Sequence, residues 1–357
     1  MGGKAVAQRK RLAIFQKELW VGGIQKSLLN LIENLDRQTY EIDLFLFDRE
    51  IFYDVSFPEN VTVHFCKPFP FFARFLYFPL VYRLKKSQFR SEKHYDTAID
   101  FNSYQPECAV GALSVSADKR IMWVHNDVRQ VRRQERKYRL LWHFFKGKFR
   151  RFDAFAAVSR GAAEAFCDEA KIGDRPVTPI PNYIDTSEIF RKAEAEIAFS
   201  PDPQKVNLCT MGRMCYQKGF DLLLEDFARA HALRPELHLY FIGDGELRPA
   251  LQQQIESLGL ADAVTMLGYQ SDPFPYLEKM DGFVLTSRYE GQGMVLWEAK
   301  ALGLPVIIPK RLEAYNDGID GVEDVAEALR QFQKTEKHRD ALEAYNQTIT
   351  ERLKTLL

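Results

Sequence analysis

The chemistry in this sequence gathers in a few short stretches. Thr286 to Ile307 reads TSRYEGQGMVLWEAKALGLPVI and holds two glutamates, Glu290 and Glu298, eight positions apart, with Gly291 and Gly293 following the first. Carboxylates accept hydrogen bonds from neighbouring hydroxyls, so a pair at this separation can hold a long ligand at two points. A second stretch, GRMCYQKGF, carries Gly212, Arg213 and Lys218. A guanidinium fork and an ammonium point charge on one turn can clamp two phosphates. Cations at a helix start are disfavoured by the macrodipole, and that placement itself implies a compensating anion. The remaining candidates are the glycine pair Gly22 and Gly23, and His125 in WVHND with Asp127 beside it. Read on residue type alone, the glutamates also fit a solvated helix face, the glycine pair a turn without ligand, and His125 a ring satisfied by a nearby carbonyl.

The elements around these residues favour a binding role. DGFVLTS reads as a buried strand ahead of Glu290, and Met294 onward as a short helix with apolar Val295, Leu296, Trp297 and Leu302. The first N–H groups of a helix lack internal partners and the dipole is positive there, so this turn aims the amides of Gly293, Met294 and Val295 at an anion. Gly291 and Gly293 let that anion come close to the backbone. The same logic applies where RLAIF runs through Gly22 and Gly23 into a helix with Ile24, Leu28, Leu31, Ile32 and Leu35 on one stripe. That turn is neither a dinucleotide G-x-G-x-x-G fingerprint nor a P-loop. VNLCTMG precedes Gly212, KRIMWVHN ends at His125, and LHLYFI leads into GDGE, which supports the fold more than the chemistry. Ser159 reads as a helix N-cap, and Ala326 to Leu357 reads as helical. Strands and helices alternate throughout, which predicts α/β domains with doubly wound parallel sheets. Ligands bind beyond the carboxyl ends of such strands. The polar, proline-containing FSPDPQK separates an N-terminal domain, 1–200, from a C-terminal domain, 201–340.

The E-x7-E spacing followed by EAKALGLPVI, with G-R-x4-K-G upstream, resembles the retaining GT-B glycosyltransferases of family 4. The resemblance implies two Rossmann-like domains facing a central cleft, with residues 341–357 forming a helix that crosses back to the first domain. It implies that Gly212, Arg213 and Lys218 hold the diphosphate of a nucleotide-sugar donor, helped by Gly22 and Gly23 and by the amides of Gly291, Gly293, Met294 and Val295. Glu290 is expected on the donor sugar, Glu298 on the ribose, backbone near Tyr269 on the nucleobase, and His125 near the sugar and the acceptor. The catalytic set is then Glu290, His125, Arg213 and Lys218, with no protein nucleophile, no metal and no cofactor beyond the donor. The expected acceptor is a glycan or lipid-linked sugar of a bacterial-type cell-surface polysaccharide. The sequence departs from the family at Gln25, where many members carry Glu, at Tyr183 in PNYID, where the family has glycine, and in KRLEAYNDGIDG. Rival functions are a GT-B epimerase or phosphorylase, a non-catalytic membrane-surface protein, and a nucleic-acid binder.

At 357 residues and 46% hydrophobic, the chain is long enough for two cores, and disorder is excluded. The net charge is zero, yet residues 1–195 carry 32 basic against 24 acidic residues, so the first half should meet an anionic partner. Five cysteines form no CxxC pair, which points to a reducing cytoplasm. The start shows no secretory h-region, and Val6 stands where a myristoylation motif needs Ser or Thr. Arg74, Arg83 and three prolines exclude Pro68 to Leu84 as a membrane span. Two stretches mix aromatic and basic residues: PFPFFARFLYFPLVYRLKKSQFR, and Arg129 to Arg151, with ten basic residues and one acidic. Basic amphipathic segments of this kind lie on anionic bilayers, which would place the protein peripherally on the inner face of the plasma membrane. Core packing of the aromatics is the second reading, and nucleic acid the third; no nucleic-acid partner is expected.

Overall fold

The computed structural model describes residues 9–20, 22–51, 56–89 and 93–357; the amino-terminal stretch with Gly2 and Val6 lies outside them. The apolar runs of the first half form strands, the inner ones buried on both faces, as strands of a parallel sheet covered by helices must be. They are β1 (Lys10–Gln16), β2 (Tyr40–Leu46), β3 (Val61–Phe65), β4 (His94–Asp100), β5 (Ser116–Val124), β6 (Ala154–Ala157) and β7 (Val177–Pro179). All pairings are parallel, in the order β3-β2-β1-β4-β5-β6-β7. The order reverses between β1 and β4, which opens a crevice beyond their carboxyl ends. The helix Gly23–Asn34 follows β1 and buries Leu28, Leu31 and Ile32. The helix Pro106–Ser114 lies so close to β1 that a side chain at Gly111 would enter the Phe15 ring.

The second half repeats the plan with β8 (Val206–Met211), β9 (Leu237–Ile242), β10 (Val264–Gly268), β11 (Gly282–Val284) and β12 (Val306–Ile307). The order is β10-β9-β8-β11-β12, again all parallel, with its reversal between β8 and β11. One core gathers Leu223, Leu224 and Phe227 of the Phe220–His231 helix against Leu208, Leu239 and Phe241. The opposite face packs Leu296, Trp297 and Ala299 against Cys209, Phe283 and Leu285.

The chain divides into one unit of Met1–Tyr183 with Asn346–Leu357, and a second of Ile184–Tyr345. The division comes earlier than the proline-containing stretch at Pro201, because the helix Thr186–Ala193 packs on the helices Phe274–Leu277 and Met294–Ala301 of the second unit. Tyr183 is buried and its hydroxyl bonds Thr350 at 2.8 Å, so the residue that replaces the family's glycine anchors the last helix. That helix, Glu343–Leu356, also accepts the Lys119 ammonium at Leu356 O and donates from Arg352 to Pro179 O at 3.0 Å. Ala326 to Leu357 is not one helix: Val325–Gln331 ends at Phe332, and extended chain intervenes before Glu343.

Candidate active site

In the second unit, β8 and β11 run out into two loops that carry the ionisable residues. After β8 the chain passes Gly212 and Arg213 and turns into the Phe220–His231 helix at Gly219, whose φ is 62°. A side chain there would set its Cβ 2.5 Å from the Thr286 carbonyl oxygen, so glycine is required by both conformation and space. The Thr286 hydroxyl donates to Gly219 O at 2.9 Å, and the Arg288 N–H to Gln217 O at 2.8 Å. These bonds stitch the loops together and bring Lys218 onto Glu290, Nζ to Oε1 at 2.7 Å. Ser287 Oγ donates to the same oxygen at 2.6 Å, and Gln217 Nε2 to Tyr289 O at 3.1 Å. Glu290 is only 4% exposed and Glu298, one turn into the Met294–Ala301 helix, 6%. A buried carboxylate is costly unless it is paired and hydrogen-bonded, and Lys218 with Ser287 meets that need at Glu290.

The start of the Met294–Ala301 helix is less open than the sequence predicts. Asn316 Oδ1 accepts from the Gly293 N–H at 3.0 Å, and Gln292 O from the Met294 N–H at 3.1 Å. Two of the amides expected to face an anion are thus engaged, and Val295 is the one left at the helix start. Arg213 is exposed, and Tyr269, just past β10, is 58% exposed. A second layer holds the loop from behind. Arg288 forks onto Asp221 at 2.7 and 2.5 Å with its guanidinium over Tyr216, while Arg311 donates to Thr286 O at 2.7 Å and Ser287 O at 3.2 Å. Gly243 and Gly245 serve the scaffold: a Cβ at Gly245 would lie 2.5 Å from Met214 O, so the GDGE turn rests directly on the turn that carries Arg213.

In the first unit Gly22 precedes the Gly23–Asn34 helix and accepts the Lys26 N–H at 3.0 Å, and Gly23 faces open space. His125 stands at the end of β5 with its ring on Phe101, and Nε2 donates to Phe101 O at 2.9 Å. Burial pushes its pKa down to about 3, so the ring is neutral near pH 7 and Nδ1 is an acceptor. Asp127 is a helix cap, accepting from the Arg129 and Gln130 N–H groups at 2.8 and 3.0 Å. Ser159 caps the helix Arg160–Ala170 as predicted, accepting from Ala162 N at 3.1 Å.

Residues 205–334 match the family described as Glycosyl transferases group 1, and residues 21–188 match Glycosyltransferase Family 4. This chain belongs to the family 4 glycosyltransferases. Its two parallel-sheet α/β domains are the GT-B fold. Among relatives, it is 33% identical to the lipopolysaccharide core biosynthesis glycosyltransferase LpsE of Rhizobium meliloti over 44% of either chain, so the match spans less than half of that relative's length. Over 84% of this chain and 80% of the other, it is 26% identical to a Campylobacter jejuni enzyme named N-acetylgalactosamine-N,N'-diacetylbacillosaminyl-diphospho-undecaprenol 4-alpha-N-acetylgalactosaminyltransferase. The crystal structure of Anabaena HepE in complex with UDP superposes with a TM-score of 0.63 at 19% identity, covering 97% of this chain and 100% of that one, and shares the fold.

Sequence reasoning about this family member missed Gln217, Ser287, Arg311 and Asn316. Ser287 was within reach, since it lies on the same loop as Glu290. Asn316 was not, because its bond to Gly293 is made by tertiary packing. The apolar side chains of the aromatic-basic segments divide between core and surface. Tyr138, Trp142, Phe145 and Phe149 are core, whereas Phe71, Phe72, Tyr77 and Leu140 are exposed. Lys148, read as part of the basic face, has its side chain wholly buried: Nζ donates to Ser103 O and lies 3.8 Å from Asp100. Among the described residues no helix is long and apolar enough to cross a membrane.

Proposed function

We propose that this protein transfers a sugar, with retained anomeric configuration, from a nucleotide-sugar donor to a hydroxyl of a glycan or lipid-linked acceptor in cell-surface polysaccharide synthesis. The observation that carries this reading is the Lys218–Glu290 contact at 2.7 Å, with Glu298 one turn into the adjoining helix. One loop pair then presents a cation for the diphosphate, a carboxylate for the donor sugar and a carboxylate for the ribose. Arg213, Lys218 and the Val295 amide stabilise the charge that develops on the departing nucleoside diphosphate, which is electrostatic catalysis by preorganised groups. The acceptor oxygen attacks the anomeric carbon on the face the diphosphate leaves, without a protein nucleophile and without need of a metal. His125, neutral, offers Nδ1 as an acceptor to a sugar or acceptor hydroxyl. UDP, present in the HepE structure, is the first nucleotide to try, and the C. jejuni relative's name points to a diphosphate-linked lipid acceptor; the basic amphipathic segments would meet such a lipid at an anionic membrane surface.

A screen of nucleotide sugars for binding and slow hydrolysis tests the reading. Turnover of one donor, lost in R213A/K218A, supports it. Binding of no nucleotide sugar, or unchanged turnover in that variant, sinks it, and a free sugar isomer formed without acceptor would reassign the site to an epimerase.

A further inference from the structure

The first unit holds a cavity of about 870 Å³, inside the range of roughly 300–1,000 Å³ typical of ligand sites. Its walls are the helix Arg136–Phe145, the turn Lys146–Arg151 and the end of the helix Arg160–Ala170. Its charge is one-sided. Asp168 and Glu169 are its acids, and both are already taken: Asp168 by Arg129 at 2.9 Å, and Glu169 by Arg132. Arg136, Arg139, Lys146, Arg150 and Lys171 therefore face the cavity with no carboxylate partner among the described residues. Cations crowded into one concavity raise its potential and draw an anion from solution. Arginine forks match phosphate oxygens in particular.

A second feature adjoins the cations. Tyr77 lines the cavity at 57% exposure, and the neighbouring turn Phe71–Phe75 and helix Phe78–Lys85 pack against the same helix and turn. There Phe71 is 66% and Phe72 63% exposed, with Leu80 and Leu84 also out in solvent. Large contiguous apolar exposure marks a binding surface. A cationic cavity rimmed by exposed aromatic rings fits an amphiphile whose charged end is a phosphate and whose other end is hydrocarbon.

We infer that this cavity seats the phosphate or diphosphate of a membrane lipid, with Phe71, Phe72 and Tyr77 entering the hydrocarbon beside it. The inference rests on the membrane part of the proposed function but not on sugar transfer, and its test separates the two. Cosedimentation is measured with three vesicle types: phosphatidylcholine alone, phosphatidylcholine with phosphatidylglycerol, and phosphatidylcholine doped with a polyprenyl diphosphate. R136S/R150S removes two cavity cations, and R133S/K137S removes two exposed cations of the same segment outside the cavity. Donor hydrolysis by each variant reports whether the second unit still works.

The expected result is binding to one or both phosphate-bearing vesicles, weakened about thirtyfold by R136S/R150S at roughly fivefold per cation. R133S/K137S should bind much as the unaltered protein does, and soluble pyrophosphate should compete. Binding to the doped vesicles alone identifies a diphosphate lipid, and binding to both a general lipid-phosphate site. Equal losses in the two variants, or equal binding to neutral vesicles, overturn the site. So does binding of random duplex DNA without any vesicle binding. Intact donor hydrolysis alongside failed vesicle binding leaves the glycosyltransferase reading standing and rejects this one.

Discussion

Two lysine–carboxylate pairs, one in each unit, lie at or beyond the carboxyl ends of parallel strands and differ in access. In the first unit Lys148 and Asp100 are both 0% exposed, 3.8 Å apart. Burial pushes the Asp100 pKa up to about 6 and the Lys148 pKa down, against their mutual attraction. The ammonium spends its hydrogen bond on Ser103 O and ties the turn Lys146–Arg151 to the end of β4. In the second unit Lys218 keeps 18% of its side chain in solvent while Glu290 keeps 5%, at 2.7 Å. Lys218 is not the sole partner of Glu290, because Ser287 and Gln217 also hold the carboxylate. The same two residue types thus make a rivet where both are sealed and, under the proposed function, a ligand clamp where one end is open.

Breaking the rivet should have the largest effect. K148M leaves Asp100 buried without its partner and should cost about 3–5 kcal/mol of stability in urea unfolding. D100N/K148M should recover most of that loss, and a double variant no more stable than K148M would show that the two groups are not coupled. Next in size, K218Q should lower kcat/KM for donor turnover by about 10²–10³, near 3–4 kcal/mol, with a much smaller fall in the urea midpoint. A stability loss as large as the activity loss would make the clamp a rivet too. N316A strips the bond from the Gly293 amide and should cost about 1–3 kcal/mol, read by thermal unfolding.

Two pH measurements sharpen the contrast further. Asp100 titrates near 6 in the folded protein and near its ordinary value of about 3.9 when unfolded. Between those values the folded state binds more protons, so this group makes stability fall as pH rises from about 4 to about 6. Comparing the slope of the unaltered protein with that of D100N isolates the term, and identical slopes refute it. The smallest effect concerns His125, whose pKa near 3 keeps it neutral across the working range. The profile of kcat/KM between about pH 5 and 8 should keep its shape in H125Q; loss of a break near 6.5 would mean the ring titrates after all.

Much of the scaffold could be read from residues because buried parallel strands are long apolar runs, and the loops of the candidate site follow their carboxyl ends. Glu290, Glu298, Arg213 and Lys218 were visible for that reason. What escaped depends on contacts distant in sequence. Lys148 lies in a stretch whose charge reads as a surface, and nothing local says that Ser103 and Asp100 await it. The segment from Phe332 to Leu342 contains helix-favouring residues and no glycine or proline, so it reads as helix. It is pulled straight by tertiary bonds: Lys337 to Met280 O at 3.2 Å, Arg339 to Glu194 and Glu278 at 3.1 and 3.3 Å, and the Asp340 N–H to Ala301 O at 2.8 Å. The unit boundary escaped for a related reason. Proline and polar residues mark a loop at Pro201, but packing of the Thr186–Ala193 helix decides which core that loop belongs to.

Because the first unit is Met1–Tyr183 with Asn346–Leu357, the second unit is in effect inserted within it. During synthesis the ribosome therefore makes the whole of Ile184–Tyr345 before Thr350 and Arg352, the residues that bond Tyr183 and Pro179, exist. At translation rates of about 5–20 residues per second, that delay is roughly 10–30 s. For that interval the first sheet waits with the groove for its last helix uncovered, while the second unit can already fold. The order in which this protein is made is thus the reverse of the order in which its halves are completed.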